Sequence, residues 1–349
     1  MSSSTSSHLI QISNPPDVES LRFRRLRGSE DFPFMLAVIQ ASKAVDKDDW
    51  SSSLEDIMRS YNHLRNCDPH QDMIFAEVAG QVVGYGRIWW EDERKGTRLY
   101  PLFVHLMPAW RGQGIRQVML GHLEQRAIQI SEQHPHEGEQ TLQASAGETE
   151  ADWTQLLKRS GFTPVRWEYE MLRSLEEDLP VHPIPEEFDV RPVHEHEVEQ
   201  IWAAASEAFA DHWGETDWFT PATLAEWQES PRYLPRLWQV AWQGDDVAGM
   251  VLNELNEREN EEANRKRGYT ETICVRRPWR GRGLAKALIS RSLHMWQDKG
   301  MLEACLGVDA ENEQGALQLY KNLGYKVSKT FTTYRKALAK RPEKSEETQ

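Results

Sequence analysis

The heptapeptide WRGQGIR at 110–116 returns as WRGRGLA at 279–285, and its surroundings return with it. Each copy follows an apolar strand-like segment, RLYPLFVHL or YTETICV, and runs into an amphipathic stretch of helical period. Each is trailed by another short strand segment, TLQASA or EACLGVD, and by a helix ending in LLKRSGF or LYKNLGY. Arg280 lies 169 residues after Arg111 and Gly324 lies 163 after Gly161, an offset that holds to within one loop's worth of insertion. Upstream, both halves open on a short strand, LRFRRL or FDVRPV, followed by a helix-rich stretch with tryptophans and a hairpin turning at Gly80 or at Gly244 and Asp245. A repeat this long restricts the chain to two similar domains. The expected class is α/β (α+β mixed sheet), each domain a mostly antiparallel mixed sheet flanked by helices.

The length of 349 residues suits two ordinary domains. The expected limits are a Ser-rich disordered tail over 1–20, a first domain over 21–173, a linker over 174–187 with Pro180, Pro183 and Pro185, a second domain over 188–338 and a charged tail over 339–349. The formal charge of −14 disfavours nucleic acid and favours a cationic amine partner. Cys67, Cys274 and Cys305 have neither disulfide nor zinc spacing, which fits a reducing compartment. With no leader-like start and no run long enough to span a bilayer, the expectation is a cytoplasmic protein with no membrane partner and no metal.

The repeated loop has a chemical reading. A strand that ends in a glycine turn and feeds a helix directs several backbone N–H groups and the positive helix end at one spot, where an anion fits. Gly281 and Gly283 remove Cβ atoms from that approach, Ala285 is small, and Arg276, Arg277, Arg280 and Arg282 crowd the loop as a multiply charged phosphate ligand would require. The plainer reading is a surface turn with solvated arginines. The loop has no GK[ST] ending and has Lys286 where a dinucleotide fingerprint would place its third glycine.

The pairing of VRRPWRGRGLA from Val275 with NEQGALQLYKNLGY from Asn312 resembles the GNAT superfamily of acyl-CoA N-acyltransferases, in its tandem two-domain form. That resemblance implies transfer of an acetyl group from acetyl-CoA to a primary amine of a small molecule, by direct attack in a ternary complex on the C-terminal domain. It implies that Arg280, Gly281, Arg282, Gly283, Leu284, Ala285 and Lys286 wrap the pyrophosphate, and that Ile273, Cys274 and Val275 pair with the pantetheine arm. Asn312 bonds that arm or caps the last helix, and Tyr320 donates to the leaving thiolate. Taken alone, Tyr320 also fits a helical core stripe with Ala316, Leu319 and Leu323. Glu271 is the candidate base, placed by period-two counting on the face of Ile273 and Val275, although relatives carry a glutamate at the position of Tyr269. The competing reading is a non-catalytic acyl-CoA-binding or scaffold protein.

The first copy departs from the pattern. Arg116 replaces the small residue, Leu157 stands for Tyr320, Thr149 for Asn312 and Trp153 for Ala316. Arg116 either crowds a pyrophosphate or binds it, and Thr149 is left to cap the helix. The first copy either shapes the substrate cleft or binds coenzyme A without turnover.

Overall fold

The structure, a computed structural model, describes residues 8–47 and 51–339. It divides into two compact units. The first takes residues 8–47, 52–165 and 333–339, and the second takes Ser51 and 166–332.

Unit 1 begins with β1 (Leu9–Ile10) and β2 (Leu21–Arg24), continues through α1 (Phe32–Asp46) and α2 (Leu54–Asn62), and forms β3 (Met73–Val78), β4 (Gln81–Ile88), β5 (Glu91–Asp92) and β6 (Arg98–Leu106). Then come α3 (Ile115–Gln133), β7 (Gln140–Gly147), α4 (Ala151–Arg159) and the start of β8 (Thr163–Ser174). Unit 2 repeats this order with β9 (Asp189–Val190), α5 (Val198–Phe209), α6 (Pro221–Gln228), β10 (Gln239–Gln243), β11 (Asp246–Glu254), a short α7 (Glu257–Glu262) and β12 (Arg267–Val275). It ends with α8 (Leu284–Asp298), β13 (Glu303–Asp309), α9 (Ala316–Asn322) and β14 (Lys326–Ala337).

The strand order in unit 1 is β1-β2-β3-β4-β6-β7, with the last residues of β14 beyond β7; in unit 2 it is β9-β10-β11-β12-β13-β8, with the first residues of β14 beyond β8. One pair in each unit is parallel, β6 with β7 and β12 with β13, whereas β1 to β6, β9 to β12, and β13 with β8 pair antiparallel. The duplication extends to irregularities: a register shift at Ala76/Glu77 in β3 recurs at Ala241/Trp242 in β10.

The unit boundaries differ from those expected in two places. Residues 8–20 are not a tail, because β1 pairs with β2 and Ile10, Ile12 and Val18 pack on the core; residues 1–7 and 340–349 lie outside the described residues. The break falls at Val165/Arg166, and 333–339 belong to unit 1. The Pro-rich stretch adheres to α8: Ser290 Oγ donates to Pro180 O (2.5 Å), Gln297 Nε2 donates to Leu175 O (2.6 Å), and Leu175, Leu179 and Ile184 join the core beside that helix. Prolines without N–H groups leave carbonyls for such side chains to satisfy.

In unit 2, α8 buries Leu284, Leu288, Ser292 and Trp296. The Trp296 ring lies against β12 so closely that a Cβ on Gly268 would fall 2.3 Å from it, so this strand position admits only glycine.

Candidate active site

β12 ends at Val275, a single tight turn covers Arg277–Trp279, and Gly281 and Gly283 follow in the left-handed region at φ 78° and 83°. α8 then starts with no side-chain cap. Its first N–H to donate back is that of Ala287, to Gly283 O at 3.1 Å, so the N–H groups of Leu284, Ala285 and Lys286 have no acceptor within the helix. Donors converging beside a positive helix end form a cradle for phosphate oxygens.

The arginines do a different job from the one expected of them. Arg276 bonds Glu207 (2.6 Å), Arg277 pairs with Asp211, and Arg280 donates to Val275 O (2.9 Å) and Ala208 O (3.1 Å). They clamp the loop to the end of α5 rather than forming a cluster open to ligand. The residues that follow α5 take part: Asp211 holds Arg277, and the His212 ring lies 4.4 Å from that of Phe209. Arg282 donates to Pro278 O (3.1 Å) and stays exposed, and Lys286 makes no ion pair among the described residues.

Next to the cradle the sheet opens. β12 pairs with β13 only from Arg267 to Tyr269, so residues 270–275 have no ladder partner on that side. Arg276 N donates to Ala248 O, which by antiparallel alternation turns the backbone groups of Cys274 toward β11 and those of Ile273 and Val275 into the split. Val275 O accepts from Arg280, and the remaining groups are a free edge that an extended chain can pair with.

A bulge shapes this edge. Leu252 pairs with Glu271 but Met250 pairs with Cys274, so β12 carries one extra residue here, and Thr272 takes φ 45°, an outlier for a β-branched side chain. The extra residue breaks the period-two count. Glu271 therefore shares the face of Leu252 and Met250, while Ile273 and Val275 pack on the opposite core, contrary to the expected common face. Glu271 is half-buried, and burial, together with Glu254 and Glu168, pushes its carboxyl up to about 8, with Arg232 opposing. Tyr269 bonds Glu259 of α7 through its hydroxyl.

Tyr320 projects from α9 with 5% exposure, and burial plus the neighbouring Glu271 and Cys274 holds its hydroxyl above the ordinary tyrosine value. Its hydroxyl has no hydrogen-bond partner among the described residues, while the adjacent Tyr325 bonds Thr270 Oγ1 at 2.9 Å. The fold thus brings Tyr320 and Glu271 together at the inner end of the split. Asn312 Oδ1 accepts from Gln314 N (2.9 Å) and more weakly from Ala316 N (3.4 Å), so it organises the turn before α9. Cys274 is no nucleophile here, since burial pushes its thiol up to about 12. Sequence reasoning missed Glu254 and Glu168, both raised by burial, because they reach Glu271 from β11 and β8.

The family model for the acetyltransferase (GNAT) family matches residues 37–134 and again 198–325. The chain belongs to the GNAT family. It is an acyl-CoA-dependent N-acyltransferase with two tandem GNAT units. It is 28% identical over 246 residues to a mycothiol acetyltransferase of Pseudarthrobacter chlorophenolicus, covering 70% of this chain and 71% of that one. A mycothiol acetyltransferase of Streptomyces scabiei is 31% identical over 177 residues, 50% of this chain and 55% of that one. Among solved structures, a GCN5-related N-acetyltransferase from Sphaerobacter thermophilus superposes with a TM-score of 0.69 at 24% identity, covering 93% and 97% of the two chains. A tandem GNAT protein from the clavulanic acid biosynthesis pathway gives 0.64 at 13% identity, covering 92% and 99%.

The first GNAT unit keeps the loop and closes the split. Gly112 and Gly114 take φ 75° and 82°, and α3 also lacks a side-chain cap. Arg116, only 7% exposed, turns inward, donates from Nε to Val104 O (2.9 Å), pairs with Asp152 (3.0 Å) and lies 4.3 Å from the Trp153 ring. It spans from the open edge of β6 to α4, occupying the gap that Ala285 leaves clear in unit 2. Thr149 does not cap α4 but donates to Asp46 O at 2.5 Å. β4 and β6 pair without a bulge, and Phe103 stands opposite Arg87 as Glu271 stands opposite Leu252. Leu157, fully buried, replaces Tyr320.

Proposed function

We propose that this protein moves an acetyl group from acetyl-CoA to a primary amine of a small, cationic acceptor, by direct attack in a ternary complex, and that unit 2 alone catalyses it. The observation that carries this reading is the free β12 edge, which leads from the uncapped start of α8 to the pair Glu271 and Tyr320.

The residues fit the cosubstrate. Backbone donors from Gly281 to Lys286 hold a pyrophosphate, with Lys286 and Arg282 adding charge at the rim, and the Ile273 and Val275 edge pairs with the amide-bearing arm. Acetyl-CoA, when bound, supplies an acetyl thioester. A split-facing N–H of β12 meets the thioester oxygen as negative charge grows on it. Glu271, ionised, takes a proton from the acceptor ammonium so that the nitrogen lone pair can form the new C–N bond; the C–S bond then breaks, and the second proton that nitrogen sheds leaves with the sulfur as the free thiol. Tyr320 donates a hydrogen bond to the departing sulfur; its raised pKa suits donation better than full proton release. Glu254 and Glu168 near Glu271 favour a cationic acceptor.

Calorimetric titration with acetyl-CoA is expected to give one site per chain, and thiol release with a panel of small amines is expected to follow. No binding would favour a scaffold role, and two equal sites would restore a working cradle to unit 1.

A further inference from the structure

The acceptor-side face of unit 1 carries a charge of the opposite sign. Where unit 2 sets Leu252 against Glu271, unit 1 sets Arg87 of β4 against Phe103 of β6. The Arg87 guanidinium is ringed by aromatic faces, 5.1 Å from the Tyr61 ring centre, 5.0 Å from that of Trp89 and 5.4 Å from that of Phe103. All four side chains are half-buried, as is His105 next to Phe103.

Arg87 has no carboxylate partner among the described residues, and its Nε is buried without a hydrogen bond. The Tyr61 hydroxyl beside it is likewise buried, and the group within its reach is the Arg87 guanidinium, itself a donor. The carboxylate of Asp72 on this side of the unit is committed to Arg126 (2.7 Å) and to Asp68 N (2.6 Å). Aromatic faces offset part of the cost of burying a guanidinium, but they accept none of its N–H bonds. A cation with an orphaned Nε–H and a hydroxyl proton facing no acceptor, both walled by flat apolar surface, call for an acceptor that is anionic and carried on an apolar body. Burial holds His105 neutral, down to about 4, with Arg116, Arg111 and Arg87 adding to it and Asp46 opposing.

We propose that unit 1 binds a small organic carboxylate, its oxygens accepting from Arg87 and Tyr61 and its apolar body lying against Trp89 and Phe103. This goes beyond acetyl transfer and assigns the non-catalytic unit a ligand of its own.

The test is calorimetric titration of the full chain with benzoate, with benzyl alcohol as the uncharged counterpart and inorganic phosphate as the bare anion. Benzoate is expected to saturate one site per chain, and benzyl alcohol and phosphate to bind at least about tenfold more weakly, since a charge-assisted hydrogen bond is worth that much. Arg87→Leu, which removes a buried charge and keeps the apolar volume, is expected to abolish benzoate binding while acetyl-CoA still binds. Tyr61→Phe should weaken benzoate several-fold. Absence of saturable benzoate binding, equal binding by Arg87→Leu, or phosphate binding as tight as benzoate would each overturn the proposal.

Discussion

The two units hold the same backbone cradle, with paired glycines at φ 75° and 82° in one and 78° and 83° in the other, yet almost nothing that faces the cradle is shared. Unit 2 leaves Ala285 beside the split, bulges β12 at Thr272, and brings Glu271 and Tyr320 to its inner end. Unit 1 fills the split with Arg116, runs β6 straight, and offers Phe103 and Leu157. The loop glycines and the clamping arginine serve the fold as well as a ligand: Arg111 ties its loop to Leu106 O and Asp46 as Arg280 ties its loop to Val275 O and Ala208 O. A glycine loop of this kind therefore reports ancestry; the split beside it reports whether the site is open.

That contrast is open to direct attack. The largest effect is expected from Ala285→Arg, which copies the unit 1 plug into unit 2: acetyl-CoA binding should fall by more than about a hundredfold, read by calorimetry, as both the split and the first helical turn are obstructed. Retained binding would mean that Arg116 does not close unit 1. Glu271→Gln is expected to lower kcat by about 10²- to 10⁴-fold, the usual range for a general base. With the carboxyl at about 8, wild-type kcat/KM should climb as pH rises to about 8 and then level, and this limb should vanish in the variant assayed with the same amine. Tyr320→Phe should cost about ten- to a hundredfold in kcat, the worth of one charge-assisted hydrogen bond, with acetyl-CoA affinity nearly unchanged.

The smallest effects concern stability. Arg116→Met should destabilise the chain by about 1–3 kcal/mol in denaturant unfolding, less than a fully buried pair because Asp152 is 37% exposed. Glu271→Gln should do the reverse. The folded carboxyl sits near 8 against an ordinary 4.5, so the wild type loses stability as pH rises from about 4.5 to about 8 while the amide does not. The variant's advantage is expected to grow through that window and stay constant above it.

Much of this was legible in the sequence because it is local: the repeat, the glycine turn, the helix that carries Tyr320, and the loss of that tyrosine in the first copy. What was not legible depends on partners far along the chain. No pattern around Arg276 and Arg277 announces Glu207 and Asp211, and none around Arg116 announces Asp152. The face of Glu271 was misread because period-two counting assumes an unbroken strand, and a threonine at φ 45° gives no local sign of the bulge. The order of residues 8–20 was hidden by the serines around them, since two residues of β1 are enough to hold this stretch to β2.

The partition of the strands has a consequence for how the protein is made. Residues 166–174 of β8 leave the first half to flank β13, and residues 333–337 of β14 return to stand beyond β7. A ribosome that has finished the first half has released a unit still missing its last strand, which arrives only when nearly the whole chain has been translated. Neither half can then be expressed alone by cutting the gene at the Pro-rich stretch, and a nonsense codon just before Thr333 would damage the amino-terminal unit more than the one it interrupts.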